Sequence, residues 1–434
     1  MISILIFSIL FLGVFGCAFL RYRRIYQNIM LGMPYVNAAS TAEKTKNMLL
    51  IALGQQKMFK RWIPAMMHLV IYLAFVFTQI EFLEIIIDGF TGSHRIIGHG
   101  MMDCCPGVYS FLINLIEILS ALALFATIVF LSRRNLLKLP RLNMAELKGW
   151  PQKDANIILI GEIFLVFGIF LMNSAEMAYN FNTYQVGYQF IISSWLAQFL
   201  LSMTSETLLF LSKLGWWLHL VGIFGFILYL PFSKHLHIFL AFPNAFLSNQ
   251  NPKGKIDYMP AIFKEIKSMM GETVEATDPN VIPKFGARDV MDLSQKNLLD
   301  AYACTECGRC SSSCPASQTG KLLSPRKIMM DTRDRLEEVG RIMGSNNNEW
   351  KDDGKSLLHD YISVEELRGC TTCNACVEEC PINISPLDII VQLRRNLIME
   401  ESNSPQEWNG MFGNIENNGA PWKFAQSERA NWVN

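Results

Sequence analysis

The sequence predicts an all-α protein: five transmembrane helices with the N-terminus outside, followed by a helical domain on the cytoplasmic side. Three observations carry that expectation. Apolar runs of spanning length lie before about residue 247, and the remainder has the mixed polarity of a soluble domain. Lys and Arg collect at the ends of those runs in a pattern that orients them across a membrane. Beyond residue 300, helix-opening signals recur at Ser324-Pro325, Ser363 with Glu366, and Ser385-Pro386.

The chain divides accordingly into a membrane part, 1–247, a linker, 248–300, a helical domain, 301–400, and a polar, Asn-rich tail, 401–434, expected to be an extended arm. At 434 residues there is room for two or three domains. The formal net charge is zero, with 38 basic and 38 acidic residues, so nothing global suggests nucleic acid as a partner.

Ile2 to Leu20 is an unbroken apolar run just long enough to span. It lacks the leading basic residue and small-residue cleavage pattern of a removable signal peptide. Arg21, Arg23 and Arg24 follow at once and place this end in the cytoplasm. A connection over 34–61 carries Lys44, Lys46, Lys57, Lys60 and Arg61. The second span is expected from Trp62 to Ile87. The third runs from Val108 to Leu131, with Arg133, Arg134, Lys138 and Arg141 behind it, and the fourth from Ala155 to Ala178. Residues 179–212 form an outside stretch whose apolar piece, Phe190 to Leu201, reads as interfacial or re-entrant. The last span runs from Gly215 past Leu230 and ends at Lys234. Counting Phe190–Leu201 as a sixth span would put the C-terminal domain outside, against the charge rule.

In the soluble part, Cys304, Cys307, Cys310 and Cys314 precede Pro315, and Cys370, Cys373, Cys376 and Cys380 precede Pro381. Both are the C-x2-C-x2-C-x3-C-P spacing of a bacterial-type [4Fe–4S] site, where three thiolates come from one loop and the fourth from elsewhere. In two-cluster proteins that fourth Cys serves the other cluster. One cluster is therefore assigned to Cys304, Cys307, Cys310 and Cys380, the second to Cys370, Cys373, Cys376 and Cys314. Two full copies, each followed by Pro, disfavour a zinc site or a disulfide framework. Eight of the eleven Cys are used in this way, which argues for cofactor ligation on the reducing side of a membrane. Cys17, Cys104 and Cys105 remain, and the adjacent pair, in the outside loop, is a candidate thiol redox site.

Only seven His are present. His68 lies about two turns into the second span, His219 near the outer end of the last, and His235 and His237 near its inner end. His219 and His237 are 18 residues apart, five turns of a regular helix, and so are expected to share a face. Their separation along the axis would be about 27 Å, nearly a hydrocarbon core. His235 would point away from that face, and Pro231 threatens the regularity of the helix. Intramembrane His is costly, and neutral imidazole is a usual axial ligand of haem iron. His68 with His237 is the favoured pair for a b-type haem, His219 a ligand for a second. Glu81, Glu84, Glu117, Glu162 and Glu176 also lie at membrane depth. Glu117, the most central, is the candidate for exchanging protons with a quinone, against the plainer reading of a carboxyl group held by a neighbouring helix.

Trp217-Leu-His219 and Pro231-Phe-Ser-Lys-His-Leu-His237-Ile-Phe resemble the last helix of the nitrate reductase gamma subunit family and of heterodisulfide-reductase-type membrane cytochromes b. The resemblance is loose over 62–243 and close in this helix. It implies a five-helix, di-haem, quinol-oxidising unit in the bacterial inner membrane, with His68, His219 and His237 at ligand positions. The family's second His in helix two falls near Thr78 here, so one or two haems are expected. His94 and His99 are substitutes for the missing ligand, with a plain surface role equally open. Ala303-CTECGRC-Cys310 and Gly320-KLLSPRKI-Ile328 are similar to the α-helical ferredoxin domain of heterodisulfide reductase C-type subunits. A succinate dehydrogenase reading would need a plant-type [2Fe–2S] motif upstream, and none is present.

The sequence contains no Gly-rich dinucleotide fingerprint, no P-loop and no repeated Cys-Cys-Gly signature. The expectation is an oxidoreductase component that carries electrons between the quinone pool and a cytoplasmic partner, itself bearing Cys-Cys-Gly motifs. Two alternatives stay open: delivery of reductant outward through Cys104 and Cys105, and a structural or redox-sensing role within a larger membrane assembly.

Overall fold

A computed structural model describes residues 2–184, 190–252, 254–273 and 284–433. Part of the linker, 253 and 274–283, and residues 185–189 of the outside stretch lie outside the described residues. Five helices are long and apolar enough to cross a membrane: α1 (Ile2–Ile29), α2 (Trp62–Thr91), α3 (Pro106–Asn135), α4 (Trp150–Tyr184) and α5 (Ser205–Tyr229). Each exceeds the roughly 20 residues that a bilayer core requires, so their ends project as polar turns. Phe190–Leu201 contributes only a short helix, Ile191–Ala197.

Close packing fixes the bundle where side chains are absent. On α4, Gly161 lies beneath Phe226 and Gly168 against the backbone of His219. On α5, Gly215 faces the backbone of Met172, and Gly222 faces Leu165. These glycines recur seven residues apart on each helix, a small-residue seam that lets two backbones approach. The aromatic rings of Phe7, Phe11 and Phe15 on α1 pack among Phe90 of α2 and Phe224 of α5.

The last span departs from the regular helix expected between His219 and His237. After Tyr229 the chain makes a 3-10 turn over Leu230–Phe232, opens at Ser233 (φ −119°, ψ 153°), and turns again over Lys234–Leu236. Pro231 has no N–H to continue the helix, and the Ser233 hydroxyl caps the next turn by accepting from His235 N at 3.1 Å. His237 thus opens a separate helix, α6 (His237–Leu247). The shared face of His219 and His237 is lost, and His235 does not point away: its ring centroid is 5.7 Å from that of His237.

In the soluble part, α7 (Gln295–Ala303), α8 (Pro325–Ser345) and α9 (Pro386–Met399) surround one apolar core. Ser294, Ser324 and Ser385 cap them, each hydroxyl accepting the N–H three residues on. Ser363 and Glu366 form the expected capping box. Asn347 and Asn348, both at positive φ, follow the end of α8. The tail is not simply extended: Gln406–Asn418 is a helix closed by Gly419 in the left-handed region.

The two parts are locked together. Ile25 of α1 belongs to the soluble core. Asn28, at the end of α1, donates to Tyr302 Oη at 2.8 Å, Tyr302 donates to Glu337 at 2.7 Å, and Arg21 meets Glu337 at 2.9 Å. Arg326, fully buried at the start of α8, binds Glu146 Oε1 at 2.7 Å and the carbonyl of Arg141 at 2.7 Å, both in the α3–α4 connection.

Gly215→Ala places a methyl group within 2.9 Å of three backbone atoms, an overpacking cost of about 1–3 kcal/mol. Thermal unfolding of the detergent-solubilised protein should show a clearly lower midpoint than Gly225→Ala, whose added methyl meets nothing. Arg326→Met leaves Glu146 buried without its cation, a loss of about 3–5 kcal/mol. It should lower the denaturant midpoint of the soluble part, and an unchanged midpoint would show that the contact holds nothing.

Candidate redox centres

The two cysteine loops have the same backbone. In the first, Glu306 and Gly308 on either side of Cys307 have φ of 55° and 71°. In the second, Thr372 and Asn374 on either side of Cys373 have φ of 55° and 64°. These left-handed residues curl each loop so that its N–H groups turn toward sulfur. Thr372 N approaches Cys370 Sγ at 3.4 Å, Glu306 N–H bonds Cys304 in the same way, and Ile384 N approaches Cys380 Sγ at 3.3 Å. Gly at 308 is the residue most tolerant of that conformation.

The fold also brings the loops to each other's fourth Cys. Cys304 and Cys310 each have Cys307 and Cys380 among their electrostatic neighbours. Cys370 and Cys376 each have Cys373 and Cys314. All eight thiols are free of disulfides. Burial pushes the Cys304 and Cys376 thiols up to about 12 and Cys380 up to about 11. A metal that binds them must therefore displace protons. Cations stand ready for the resulting negative charge. Arg61, Arg141 and Arg309 crowd one another, with Cys307 the neighbouring thiol that favours the charged form of the latter two, and Arg141 donates to the Cys307 carbonyl at 3.2 Å. Arg394 donates to the Leu367 carbonyl at 2.9 Å beside Cys370. Mutually repelling guanidinium groups around a thiol loop suit an anionic centre. Among the described residues, no group of three or more His, Cys, Asp or Glu closes on a single metal ion.

In the bundle, His68 and His237 lie side by side, with ring centroids 6.4 Å apart and planes 44° apart. Two imidazoles sharing one metal at about 2 Å from each nitrogen have centroids roughly 6 Å apart. His68 Nδ1 is 2.9 Å from Gln55 Oε1, and His237 Nδ1 is 3.1 Å from the Lys234 carbonyl. An imidazole that donates through Nδ1 to an oxygen presents Nε2 to a metal. His219 is arranged alike, its Nδ1 2.9 Å from the Leu165 carbonyl. His235 differs: its Nε2 is 3.6 Å from Glu162 and its Nδ1 has no partner. Thr78, where the family pattern calls for His, donates to the Phe75 carbonyl. His94 contacts Glu176 at 3.1 Å with half its side chain exposed, and His99 lies in the short helix Ile96–Cys104.

Four of the five membrane carboxylates are held by neighbours, whereas Glu81 is buried with its Oε2 unpartnered. Glu117 accepts from the N–H groups of Ile192 at 2.9 Å and Ser193 at 3.2 Å and from the Ser193 hydroxyl. It secures the helix Ile191–Ala197, which accounts for its burial without proton transfer. Glu176 pairs with Arg95 at 3.0 Å, Glu84 accepts from Gly98 N, and Glu162 accepts from Thr127. Cys104 and Cys105 are exposed, their sulfurs 2.8 Å apart, at the end of the bundle away from the soluble part.

One functional group has no signal of its own in the sequence. Glu306, between Cys304 and Cys307, binds Lys234 and, at 2.8 Å, Arg333. Lys234, which marks the end of the last span, thus ties the first cysteine loop to the turn before His237.

Residues 303–384 match the family model described as a 4Fe-4S dicluster domain. The chain is 29% identical, over 87% of its length and 53% of the relative's, to the probable iron-sulfur-binding oxidoreductase FadF of Bacillus subtilis. It is 30% identical to the EtfAB:quinone oxidoreductase of Syntrophomonas wolfei, over 73% of this chain and 45% of that one. Over 34% of the chain and 24% of the relative it is 32% identical to a probable membrane-anchored ferredoxin of Chromohalobacter salexigens. The chain spans about half the length of the first two relatives. No solved structure matches it. Curled thiol loops and these matches together make residues 303–384 a 4Fe–4S dicluster domain, carried on a membrane bundle in a chain related to iron–sulfur oxidoreductases.

Proposed function

We propose that the chain passes electrons between the membrane quinone pool and a cytoplasmic redox partner through a b-type haem and two [4Fe–4S] clusters. The observation that carries this reading is the place of the His68–His237 pair. It sits where the bundle meets the soluble part, and Lys234, three residues before His237, contacts Glu306 of the first cysteine loop. The name of the Syntrophomonas relative, which pairs EtfAB with a quinone, supports the two ends of the path.

When bound, these groups supply one-electron transfer, and the protein holds and insulates them. Cys304, Cys307, Cys310 and Cys380 would hold one cluster, and Cys370, Cys373, Cys376 and Cys314 the other. The crossed electrostatic neighbourhoods support that division. Gln55 and the Lys234 carbonyl fix the rings of His68 and His237 so that each keeps Nε2 for iron. We place one haem there. His219 has the right Nδ1 bond for a second, with His94 or His99 as the partner that would complete it. Thr371, Thr372 and Cys373 are exposed, so a partner would reach the second cysteine set. That partner function, with Cys-Cys-Gly motifs, belongs on a separate chain or in the additional length that the relatives have. The cationic connections that meet the soluble part support, through the positive-inside rule, a cytoplasmic position for it at a bacterial inner membrane.

Outward delivery of reductant is favoured by one observation, the exposed Cys104–Cys105 pair at the far end of the bundle. Replacing both by Ser separates the readings, since quinone-linked turnover should persist without them.

Purified protein should contain about eight non-haem irons per chain, four for each cluster, and show a b-type reduced-minus-oxidised spectrum. His68→Ala should lose the haem bands and keep its non-haem iron. Cys380→Ser should lose close to half the iron and keep the haem. Full iron with no haem in the wild type would sink the cytochrome part of this reading.

A further inference from the structure

The seam between the bundle and the 4Fe–4S domain contains an open cleft of ≈ 200 Å³. That is smaller than sites that enclose a whole small molecule, roughly 300–1,000 Å³, and leaves room for one ring-sized head group whose tail stays outside. Two aromatic side chains flank it at the ends of spans. Trp150 begins α4 and Phe232 follows α5, and both are more than half exposed. The amphipathic indole of Trp150 marks the level of lipid head groups. Arg21 of α1 covers Phe232 at 4.5 Å. The opposite wall includes Glu306, between Cys304 and Cys307, so a molecule in the cleft is next to the first cysteine loop.

The lining discriminates by charge. Arg21, Lys234 and Arg333 are nearly cancelled by Asp154, Glu306, Asp334 and Glu337. A phosphate head group or a nucleotide finds no net attraction here, whereas a neutral ring with carbonyl acceptors does not need one. Most of these groups are already paired, Lys234 and Arg333 with Glu306, and Tyr302 with Glu337. Arg21 Nε is buried without a hydrogen-bond partner, a donor suited to a carbonyl oxygen.

We propose that this cleft binds the head group of a membrane quinone, at the junction of the first cysteine loop and the turn that leads to His237. The proposal rests on the quinone-linked reading above and adds the place where the quinone binds. In the reductive direction the two carbonyl groups become hydroxyl groups. Two electrons would come one at a time through the centres that His237 and the first cysteine loop would hold, and two protons from water. Asp334, whose side chain is 61% exposed, opens the cleft to that water. Quinol oxidation is the same step reversed.

Photolabelling tests this on full-length protein in liposomes, with a short-chain azido-menaquinone as the probe and mass spectrometry of the labelled peptides. Label should map to peptides bearing Trp150–Asp154 or Phe232–Lys234 and be competed by excess menaquinone. Asp334→Trp, which fills the cleft from an exposed position, should cut labelling at least tenfold while iron content stays at the wild-type level. Should that variant lose iron, Phe232→Ala, which removes one flank, must show the reduction instead. Competable label confined to Glu81–Arg95, at the far end of the bundle, would overturn the cleft and leave quinone-linked transfer standing. Undiminished label in the filled variant with its iron intact would also overturn the cleft. No competable label anywhere would remove the quinone reading as well.

Discussion

The structure depends on the grip of a basic membrane face on two cysteine loops. Lys60 meets Glu378 at 2.6 Å and Arg61 meets Glu379 at 3.6 Å, both beside Cys380. Arg141 holds the Cys307 carbonyl, and Arg309 reaches back to the carbonyl of Met58. The connections that supply Lys60, Arg61 and Arg141 are also the cation-rich ones of the sequence. The charges that mark one side of the bundle are therefore the ones that dock the soluble part. Surface pairs of this kind are individually weak, but here they accompany the fully buried Arg326 and the insertion of Ile25 into the soluble core. The halves are held as one body, as an electron path between them requires.

Much of this was legible in the sequence because the relevant signals are local. The five spans follow from apolar length, and Ser324, Ser363 and Ser385 cap where their spacing predicts. The cysteine loops follow from ligand stereochemistry: three thiols can curl around one object only if the intervening residues accept positive φ, and the spacing records that requirement. The pairing of His68 with His237 was accessible from depth alone, since antiparallel spans bring residues at equal depth together.

What was not legible is non-local or depends on one hydrogen bond. The regular helix through His237 fails at Ser233 because Pro231 removes a donor and Ser233 starts a new turn. Pro231 announced the danger but not the geometry. That break brings His235 beside His237 and places Lys234 against Glu306, which no periodicity could show. The partners of Glu117, the N–H groups of a short helix 75 residues later, lie too far along the chain for any local pattern to name them. The tail, polar and Asn-rich, was expected to be extended. A helix forms there because Pro405 and Gly419 bound a stretch whose residues tolerate helix without burying a face.

The central claim is that the bundle and the 4Fe–4S domain form one continuous path. It is tested most directly by reducing the full-length protein without oxygen and adding a short-chain menaquinone. The haem band is followed optically and the clusters by electron paramagnetic resonance. The account predicts that both centres reoxidise together, and that Arg326→Met slows the clusters as docking loosens. Haem that reoxidises while the clusters stay reduced would show two separate electron carriers in one chain and contradict the account.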